Sequence, residues 1–216
     1  MGQEMQTQVV FSFLLSATLL AGADFPSPAT DLDASKTTGK QTAVFAGGCF
    51  WCTEAVFEKL AGVENVVSGY AGGKASDAKY DLVSNHKTDH AEVIQITYDP
   101  AKISFGTLLK VFFSVAHDPT QFHRQGPDIG RQYRSAVFYQ GEDQKRVTEA
   151  YIQQLNNAKI FRRPIVTEVV PLNGFYPAEG YHQDFVKRNP AHPYVLENAL
   201  PKLDKMKKTY PALLRK

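Results

Sequence analysis

The two cysteines and the single tryptophan of this chain lie within four residues of one another, in the stretch GGCFWCTEAVFEKL at 47–60. Cys49 follows a strand-like segment and two glycines, and it begins a segment with helical spacing of apolar residues. Unpaired N–H groups and the positive end of a helix dipole should therefore lower the pKa of Cys49 and favour a nucleophilic thiolate. Cys52 lies one turn later on the same face, where it could attack an oxidised Cys49 sulfur.

Three other uses of the cysteine pair are open at this point. A structural disulfide between Cys49 and Cys52 would close a very short loop, which stabilises by roughly 2 kcal/mol, against nearly 5 for a loop of about a hundred residues. A zinc site could add His86 and His90, but 33 residues separate Cys52 from His86, whereas zinc fingers place roughly 12 to 15 between their pairs. A thioredoxin-like disulfide exchanger also uses Cys-X-X-Cys, although the bulky Phe-Trp pair between these cysteines is more typical of a pocket wall.

Composition restricts the possible partners. The chain of 216 residues is 43% hydrophobic and 21% charged, which is ordinary for a globular protein. Its formal net charge of +2 is too small to indicate a nucleic-acid partner or a membrane surface. Only 202–216 is locally basic, as expected of a solvated helix face or a frayed end.

The N-terminal residues differ in composition from the rest. An uncharged apolar run at 9–20 precedes Ala-Gly-Ala, which predicts a cleaved export signal over 1–23 and a periplasmic or secreted protein, membrane-anchored if the signal is retained. The absence of Lys or Arg before the run counts against export. Residues 24–41 are rich in Pro, Ser, Thr and Asp and predict a flexible spacer. Residues 42–216 then form a single domain with a basic C-terminal extension.

Hydrophobic periodicity indicates an α/β (α+β) fold, with a mixed sheet backed by helices in a split βαβ arrangement. The polar stretch of 18 residues from Ala116 is longer than a compact fold needs, so we expect it to be functional. The predicted strands are 42–45, 63–70, 91–98, 135–139 and 165–170, and the predicted helices are 49–60, 104–115, 142–158 and 178–187.

Several separate motifs carry a family resemblance, in family order from Thr42 to Tyr194. They are GGCFWCTEAVFEKLAGV at Gly47, VSGYAGG at Val67, KYDLVSNHKTDHAEVIQITYDP at Lys79, HDPTQ at His117, RQGPDIGRQYRSAVFY at Arg124 and YHQDFVKRNP at Tyr181. Together they resemble the peptide methionine sulfoxide reductase A family. The resemblance implies a split βαβ ferredoxin-like sandwich and the reduction of the S epimer of methionine sulfoxide to methionine.

The reaction needs a nucleophile and an acid, because the sulfoxide oxygen leaves badly unless it is protonated. Cys49 suits the first role, and a partly buried Glu92 with a raised pKa suits the second. The resemblance assigns the same role to Glu92. It also matches Tyr80 and Tyr133 to tyrosines that hydrogen-bond the sulfoxide oxygen, and Asp128 to an aspartate that supports this network.

The resemblance further implies the substrate pocket and the recycling step. Phe50 and Trp51 would hold the S-methyl group of the substrate, and Tyr194 aligns loosely with a further site tyrosine. After attack Cys49 would be a sulfenic acid, which many relatives resolve with cysteines near the C-terminus. This chain has Val195 where such a cysteine is common, so Cys52 is the internal thiol left to resolve it, the alternative being an external thiol.

The partners follow from this chemistry. A Cys49–Cys52 disulfide would be reduced by thioredoxin or a thioredoxin-like reductant. The substrates would be oxidised proteins and free methionine sulfoxide, with no cofactor, no metal and no nucleic acid, and we expect a monomer. His86 and Asp89 stand where relatives usually have glycines, which could alter the loop or substrate access. A thiol-disulfide oxidoreductase and an exported binding domain with a zinc or disulfide clip are the competing hypotheses.

Overall fold

The computed structural model describes residues 25–36 and 38–216. Strands with alternating apolar residues build a central sheet. The predicted export signal over 1–23 lies outside the described residues. The strands are β1 (Gln41–Gly47), β2 (Val63–Ala71), β3 (Ala91–Tyr98), β4 (Arg124–Gln125), β5 (Asp128–Ile129), β6 (Ser135–Tyr139), β7 (Glu168–Pro171) and β8 (Phe175–Pro177). The helices are α1 (Phe50–Phe57), α2 (Tyr80–Ser84), α3 (Phe105–Val111), α4 (Glu142–Asn157), α5 (Phe185–Arg188) and α6 (Leu200–Thr209).

The large sheet has the order β7-β6-β1-β3-β2-β8. All neighbours are antiparallel except β6 and β7, which are parallel. β1 and β2 are joined through α1 but separated by β3, and β3 and β6 are joined through α3 but separated by β1. These are the two split βαβ units of a ferredoxin-like sandwich, so the predicted fold class is confirmed.

The two faces of the sheet are covered unequally. On β1, Phe45 points into the larger core and packs on Phe112 with ring centroids 4.8 Å apart. Helices α1, α3, α4 and α6 all contribute to that core. Its neighbour Val44 faces the opposite side, where a smaller cluster of mostly alanine and valine side chains is buried. Period-two alternation along β1 thus separates the two layers.

The segment before the sheet packs on the domain, which differs from the flexible spacer that its composition predicts for 24–41. Apolar and acidic side chains in this segment find partners on α3, α4 and the loop after α4. The Phe25 ring lies edge-on to Phe161, the Tyr151 hydroxyl donates to the Pro26 carbonyl, the Gln154 amide bonds the Ser27 carbonyl and the Ala29 N–H, and the Gly106 N–H donates to the Asp31 carboxylate.

The helix predicted at 178–187 is wrong in its first half. Only α5 is helical, because Asp184 adopts a left-handed conformation with φ +52°. The side chain of Gln183 also bonds both the N–H and the carbonyl of Ser68 on β2. These contacts tie the segment to the sheet edge as a turn.

The first half of the basic stretch at 202–216 lies in α6, and only one face of this helix is exposed to solvent. Leu203 and Met206 are buried, whereas Lys207 and Lys208 are exposed. In the described part of the chain, no helix has both the length and the apolar character needed to cross a bilayer.

Candidate active site

The site begins where β1 turns into α1. Cys49 is the N-cap residue of α1, and Gly48 before it has φ +87°. A Cβ on Gly48 would lie 2.5 Å from Cβ of Gln125, which belongs to the β4–β5 hairpin. The long polar stretch from Ala116 therefore folds back onto the cysteine turn, and only glycine allows that approach.

Cys49 and Cys52 lie side by side without a disulfide. Both are buried, with 8% and 1% of their surfaces exposed. Burial, together with the hydrogen bond to Cys52, raises the pKa of Cys49 well above its ordinary value. The Cys49 thiol donates to the Cys52 sulfur, and that hydrogen bond lowers the pKa of Cys52.

The prediction of a lowered pKa for Cys49 is therefore wrong. Desolvation of a buried thiolate outweighs the dipole of a helix only eight residues long. The first N–H of α1, on Phe50, is also already occupied, because it donates to Oε2 of Glu92 at 3.0 Å. In this structure Cys49 holds its proton.

Glu92 lies beneath the start of α1, on β3. It is 2% exposed, and burial raises its pKa to about 8, which the hydrogen bond from the Phe50 N–H only partly opposes. A carboxyl with this pKa is protonated at neutral pH. The structure thus places a neutral acid directly behind the residue that follows Cys49.

Tyr194 is more central than its loose alignment suggests. Its hydroxyl donates to Oδ2 of Asp128 at 2.5 Å and is also within hydrogen-bonding reach of the Cys49 and Cys52 sulfurs. Burial raises the pKa of Tyr194 and of Asp128. The turn after α5 and the β4–β5 hairpin therefore meet at the cysteine pair.

Tyr80 and Tyr133 also face the cluster. Burial raises the pKa of both phenols, and the nearby Glu92 and Cys49 raise it further. Both therefore keep their hydroxyl proton and can donate it in a hydrogen bond. All five polar side chains predicted around Cys49 are brought to one place: Glu92, Tyr80, Tyr133, Asp128 and Tyr194.

Phe50 and Trp51 both pack on His182 but differ in burial. Phe50 is 1% exposed and packs on Tyr70 and His182, at 5.9 and 5.0 Å between ring centroids. Trp51 is half-buried and stands edge-on to Tyr194, at 5.7 Å and 82°. Its face is therefore at the edge of the same cluster as the two sulfurs.

Three residues close to Trp51 or Tyr80 are not among the predicted site residues. Phe185 stacks on the indole at 3.7 Å and 8°, and His182 accepts its N–H at 3.1 Å. Glu179 accepts hydrogen bonds from the Tyr80 N–H and the Tyr70 hydroxyl. His182 lies 131 residues from Trp51 in the chain, so no local pattern signals the contact, although His182 and Phe185 lie in the quoted motif YHQDFVKRNP.

His90, one of the two histidines considered for a zinc site, is engaged elsewhere. His90 contacts the Gly73 N–H through Nδ1 and the Lys74 carbonyl through Nε2. Within 25–36 and 38–216, no group of three His, Cys, Asp or Glu side chains is arranged to hold a metal ion. Asp89, in the same loop, pairs with Arg131 at 2.8 Å and so joins the loop to the turn that carries Tyr133.

Comparison with known proteins gives a consistent family. The family model described as peptide methionine sulfoxide reductase matches residues 41–213. Peptide methionine sulfoxide reductase MsrA 2 of Synechocystis sp. is 56% identical over 192 residues, covering 88% of this chain and 90% of the relative. The protein of the same name from Mesorhizobium japonicum is 50% identical over 182 residues, covering 84% and 93%.

Solved structures agree with the sequence relatives. The reduced form of Mxr1 from Saccharomyces cerevisiae has a TM-score of 0.63 at 30% identity, covering 78% of this chain and 94% of that one. Methionine sulfoxide reductase A of Corynebacterium diphtheriae has a TM-score of 0.63 at 33% identity, covering 73% and 78%. Because the family model and relatives at 50 to 56% identity cover most of its length, this chain belongs to the peptide methionine sulfoxide reductase family.

Proposed function

We propose that this enzyme reduces the S epimer of methionine sulfoxide with Cys49 as nucleophile. The Cys49 sulfur attacks the sulfoxide sulfur, and the oxygen passes from substrate to enzyme. The products are methionine, whose sulfur gains two electrons, and a Cys49 sulfenic acid, whose sulfur loses two. The proton on the transferred oxygen balances the proton that Cys49 carries in the resting site.

The observation that carries the proposal is the buried, neutral carboxyl of Glu92. Its Oε2 accepts from the Phe50 N–H, so its own proton is carried by the other oxygen. A pKa of about 8 keeps that proton in place at neutral pH yet allows its transfer to a developing oxyanion. Glu92 would thus protonate the sulfoxide oxygen as Cys49 attacks, and the proton that leaves the Cys49 thiol would restore the Glu92 carboxyl, so that the net transfer is one oxygen atom.

The surrounding side chains fit an oxygen on one side and a methyl group on the other. The phenols of Tyr80 and Tyr133 are neutral donors that would hydrogen-bond the sulfoxide oxygen as it gains negative charge. Asp128 would support this network through Tyr194. Apolar contact with Phe50 and Trp51 would hold the S-methyl group, which distinguishes the two epimers.

Recycling would use the second cysteine. The Cys52 sulfur attacks the Cys49 sulfenic acid, a disulfide forms, and the hydroxyl leaves as water with the proton of the Cys52 thiol. The side-by-side placement of the two sulfurs, which a hydrogen bond joins in the dithiol form, favours this step. A thioredoxin-like dithiol then reduces the disulfide.

We infer that the enzyme is a monomer and that it accepts oxidised proteins and free methionine sulfoxide. The apolar run at 9–20 supports export of the protein.

Paired cysteine variants test the chemistry. Cys49→Ser should abolish reduction of methionine S-sulfoxide. Cys52→Ser should yield about one methionine per enzyme in a single turnover and then stop with thioredoxin as reductant, because nothing inside the chain resolves the sulfenic acid. The measurement is methionine formed per enzyme, with S and R sulfoxides assayed separately.

The same assay separates the alternatives. A disulfide exchanger would form no methionine with dithiothreitol, which would contradict the proposed reaction. If Cys52→Ser cycles at the wild-type rate with thioredoxin, Cys52 is not the resolving residue. Trapping with a sulfenic-acid reagent, followed by mass spectrometry of Cys52→Ser, should locate the oxidised sulfur on Cys49.

A further inference from the structure

His182 is a buried, polar and only partly paired side chain that the proposed reaction does not use. It is 1% exposed, and its Nε2 atom has no hydrogen-bond partner. Its Nδ1 atom is 3.1 Å from the indole nitrogen of Trp51. A buried imidazole with one satisfied and one unsatisfied nitrogen calls for an explanation, since an unmade hydrogen bond in the interior is costly.

The hydrogen bond to Trp51 fixes the tautomer of His182. An indole nitrogen can only donate, so Nδ1 must accept. Burial lowers the pKa of His182, so the ring is neutral and its one proton resides on Nε2. That N–H faces the carboxylate of Glu179, at 3.9 Å from Oε2, which is too far for a hydrogen bond but favours a proton on Nε2.

The ring of His182 also joins the two sides of the pocket. It packs on Phe50 at 5.0 Å and on Tyr80 at 4.4 Å between centroids. Glu179, which faces its Nε2, also accepts the backbone N–H of Tyr80. The same small cluster therefore contacts the apolar wall and one of the hydroxyl donors.

We propose that His182, in the tautomer with its proton on Nε2, is a positioning residue that orients the indole of Trp51 against the substrate's methyl group. Phe185 stacks on the indole and sets its tilt, but parallel stacking leaves rotation in the ring plane free. The hydrogen bond to Nδ1 of His182 removes that freedom. This inference rests on the proposed role of Trp51 as part of the methyl pocket.

Two substitutions of His182 separate the hydrogen bond from the packing. His182→Phe keeps an aromatic ring but removes the acceptor, and His182→Asn keeps an acceptor oxygen near the place of Nδ1 but removes the ring. We expect His182→Phe to raise KM for methionine S-sulfoxide about tenfold, the worth of roughly one buried hydrogen bond, with kcat within about twofold. His182→Asn should recover most of the KM.

The single tryptophan supplies an independent readout. In His182→Phe the indole should become more accessible, so its emission should shift to the red and acrylamide should quench it more strongly. His182→Asn should restore both properties. His192→Phe is the matched control, because His192 touches the same indole only by its edge, at 6.3 Å and 73°. It should leave KM and emission unchanged.

A double-mutant cycle distinguishes positioning from general stability. Trp51→Phe removes the indole N–H, so His182→Phe in that background should change KM no further. A full KM effect that persists without the indole, or wild-type KM and emission in His182→Phe, would overturn the inference. Failure of the wild-type enzyme to reduce the S-sulfoxide would instead overturn the proposed function, so the two failures are distinct.

Discussion

At the scale of residues, the site stores protons next to a soft nucleophile. Cys49 and Glu92 both have raised pKa values because both are buried, and each holds a proton at neutral pH. The hydroxyl of Tyr194 has one proton and two acceptors within reach. It can donate to Asp128, as it does here, or to a cysteine thiolate, so loss of the Cys49 proton would draw the hydroxyl away from the carboxylate.

The acid role of Glu92 predicts a defined pH dependence. Wild-type kcat/KM should be level up to about pH 8 and fall above it, as the carboxyl with pKa of about 8 loses its proton. Glu92→Gln should lower the rate at pH 7 by about 10²- to 10³-fold and recover part of it at low pH, where solvent supplies the proton. Single-turnover kinetics from pH 5 to 10 measure both effects.

A second buried acid provides the control for that experiment. Glu54→Gln removes a buried carboxyl from α1 and leaves Cys49 and Cys52 unchanged. The dependence of its rate on pH should therefore follow that of the wild type. If Glu92→Gln reacts at the wild-type rate at pH 7, Glu92 is not the acid that protonates the sulfoxide oxygen.

At the scale of elements, α1 carries both the cysteines and an acid that opposes folding at high pH. Glu54 is 2% exposed, and burial raises its pKa to about 7. The unfolded chain releases this proton near pH 4.5, so the folded state binds more protons between these values and its stability falls as pH rises from about 4.5 to 7. Above pH 7 the loss is complete.

Glu54→Gln should remove this pH dependence. The variant should match the wild type near pH 4 and be more stable at pH 8 by up to about 3 kcal/mol, measured by urea unfolding. Glu149→Gln on the exposed face of α4 is the matched control and should show no such gap. A constant difference between Glu54→Gln and wild type across this range would contradict the buried-acid account.

Elements with strong periodicity could be predicted from the sequence, and elements held by distant contacts could not. The strand at 135–139 was predicted to the residue, and Ser104 does cap α3 by accepting the Thr107 N–H at 3.1 Å. The turn around Asp184 and the short strand β8 depend on pairing with β2, which no local pattern reveals. Helix α6 does have a signal in the sequence, because apolar residues recur every three positions at Leu200, Leu203 and Met206.

The same distinction applies to the site. Motifs identified Cys49, Glu92 and the tyrosines, because their neighbours in sequence are characteristic. The direction of the pKa shift of Cys49 could not be predicted. The position at a helix start favours a lowered pKa, but burial by elements distant in sequence raises it. His182 could not be assigned either, because its role depends on a ring contributed from 131 residues away.

At the scale of the whole molecule, the fold includes residues before the sheet. The segment 25–36 contacts α3, α4 and Phe161. The side chains of the site come instead from α1 and the residue before it, α2, β3, the β4–β5 hairpin, the turn before β6 and the turns around α5. The groups on α3 and α4 that bond to this segment would bind water if the segment were absent. The segment should therefore affect stability and leave the chemistry unchanged.

Two shortened chains test this separation. A chain starting at residue 41 should unfold with a free energy lower by about 2 to 5 kcal/mol than a chain starting at residue 25, since it loses five hydrogen bonds to α3 and α4 at roughly 0.5 to 1 kcal/mol each. Their kcat/KM values should agree within about twofold. Equal stability of the two chains in urea would show that the segment contributes nothing.

The two buried carboxyls also change how the protein behaves in an electric field. The formal net charge of +2 counts every acid as ionised, but Glu92 and Glu54 together retain about one and a half protons at pH 7 when the chain is folded. The native molecule should therefore migrate faster toward the cathode than its composition suggests, and bind a cation exchanger more tightly. Folding at neutral pH should take up protons from the buffer, and the heat of refolding should vary with the ionisation enthalpy of that buffer.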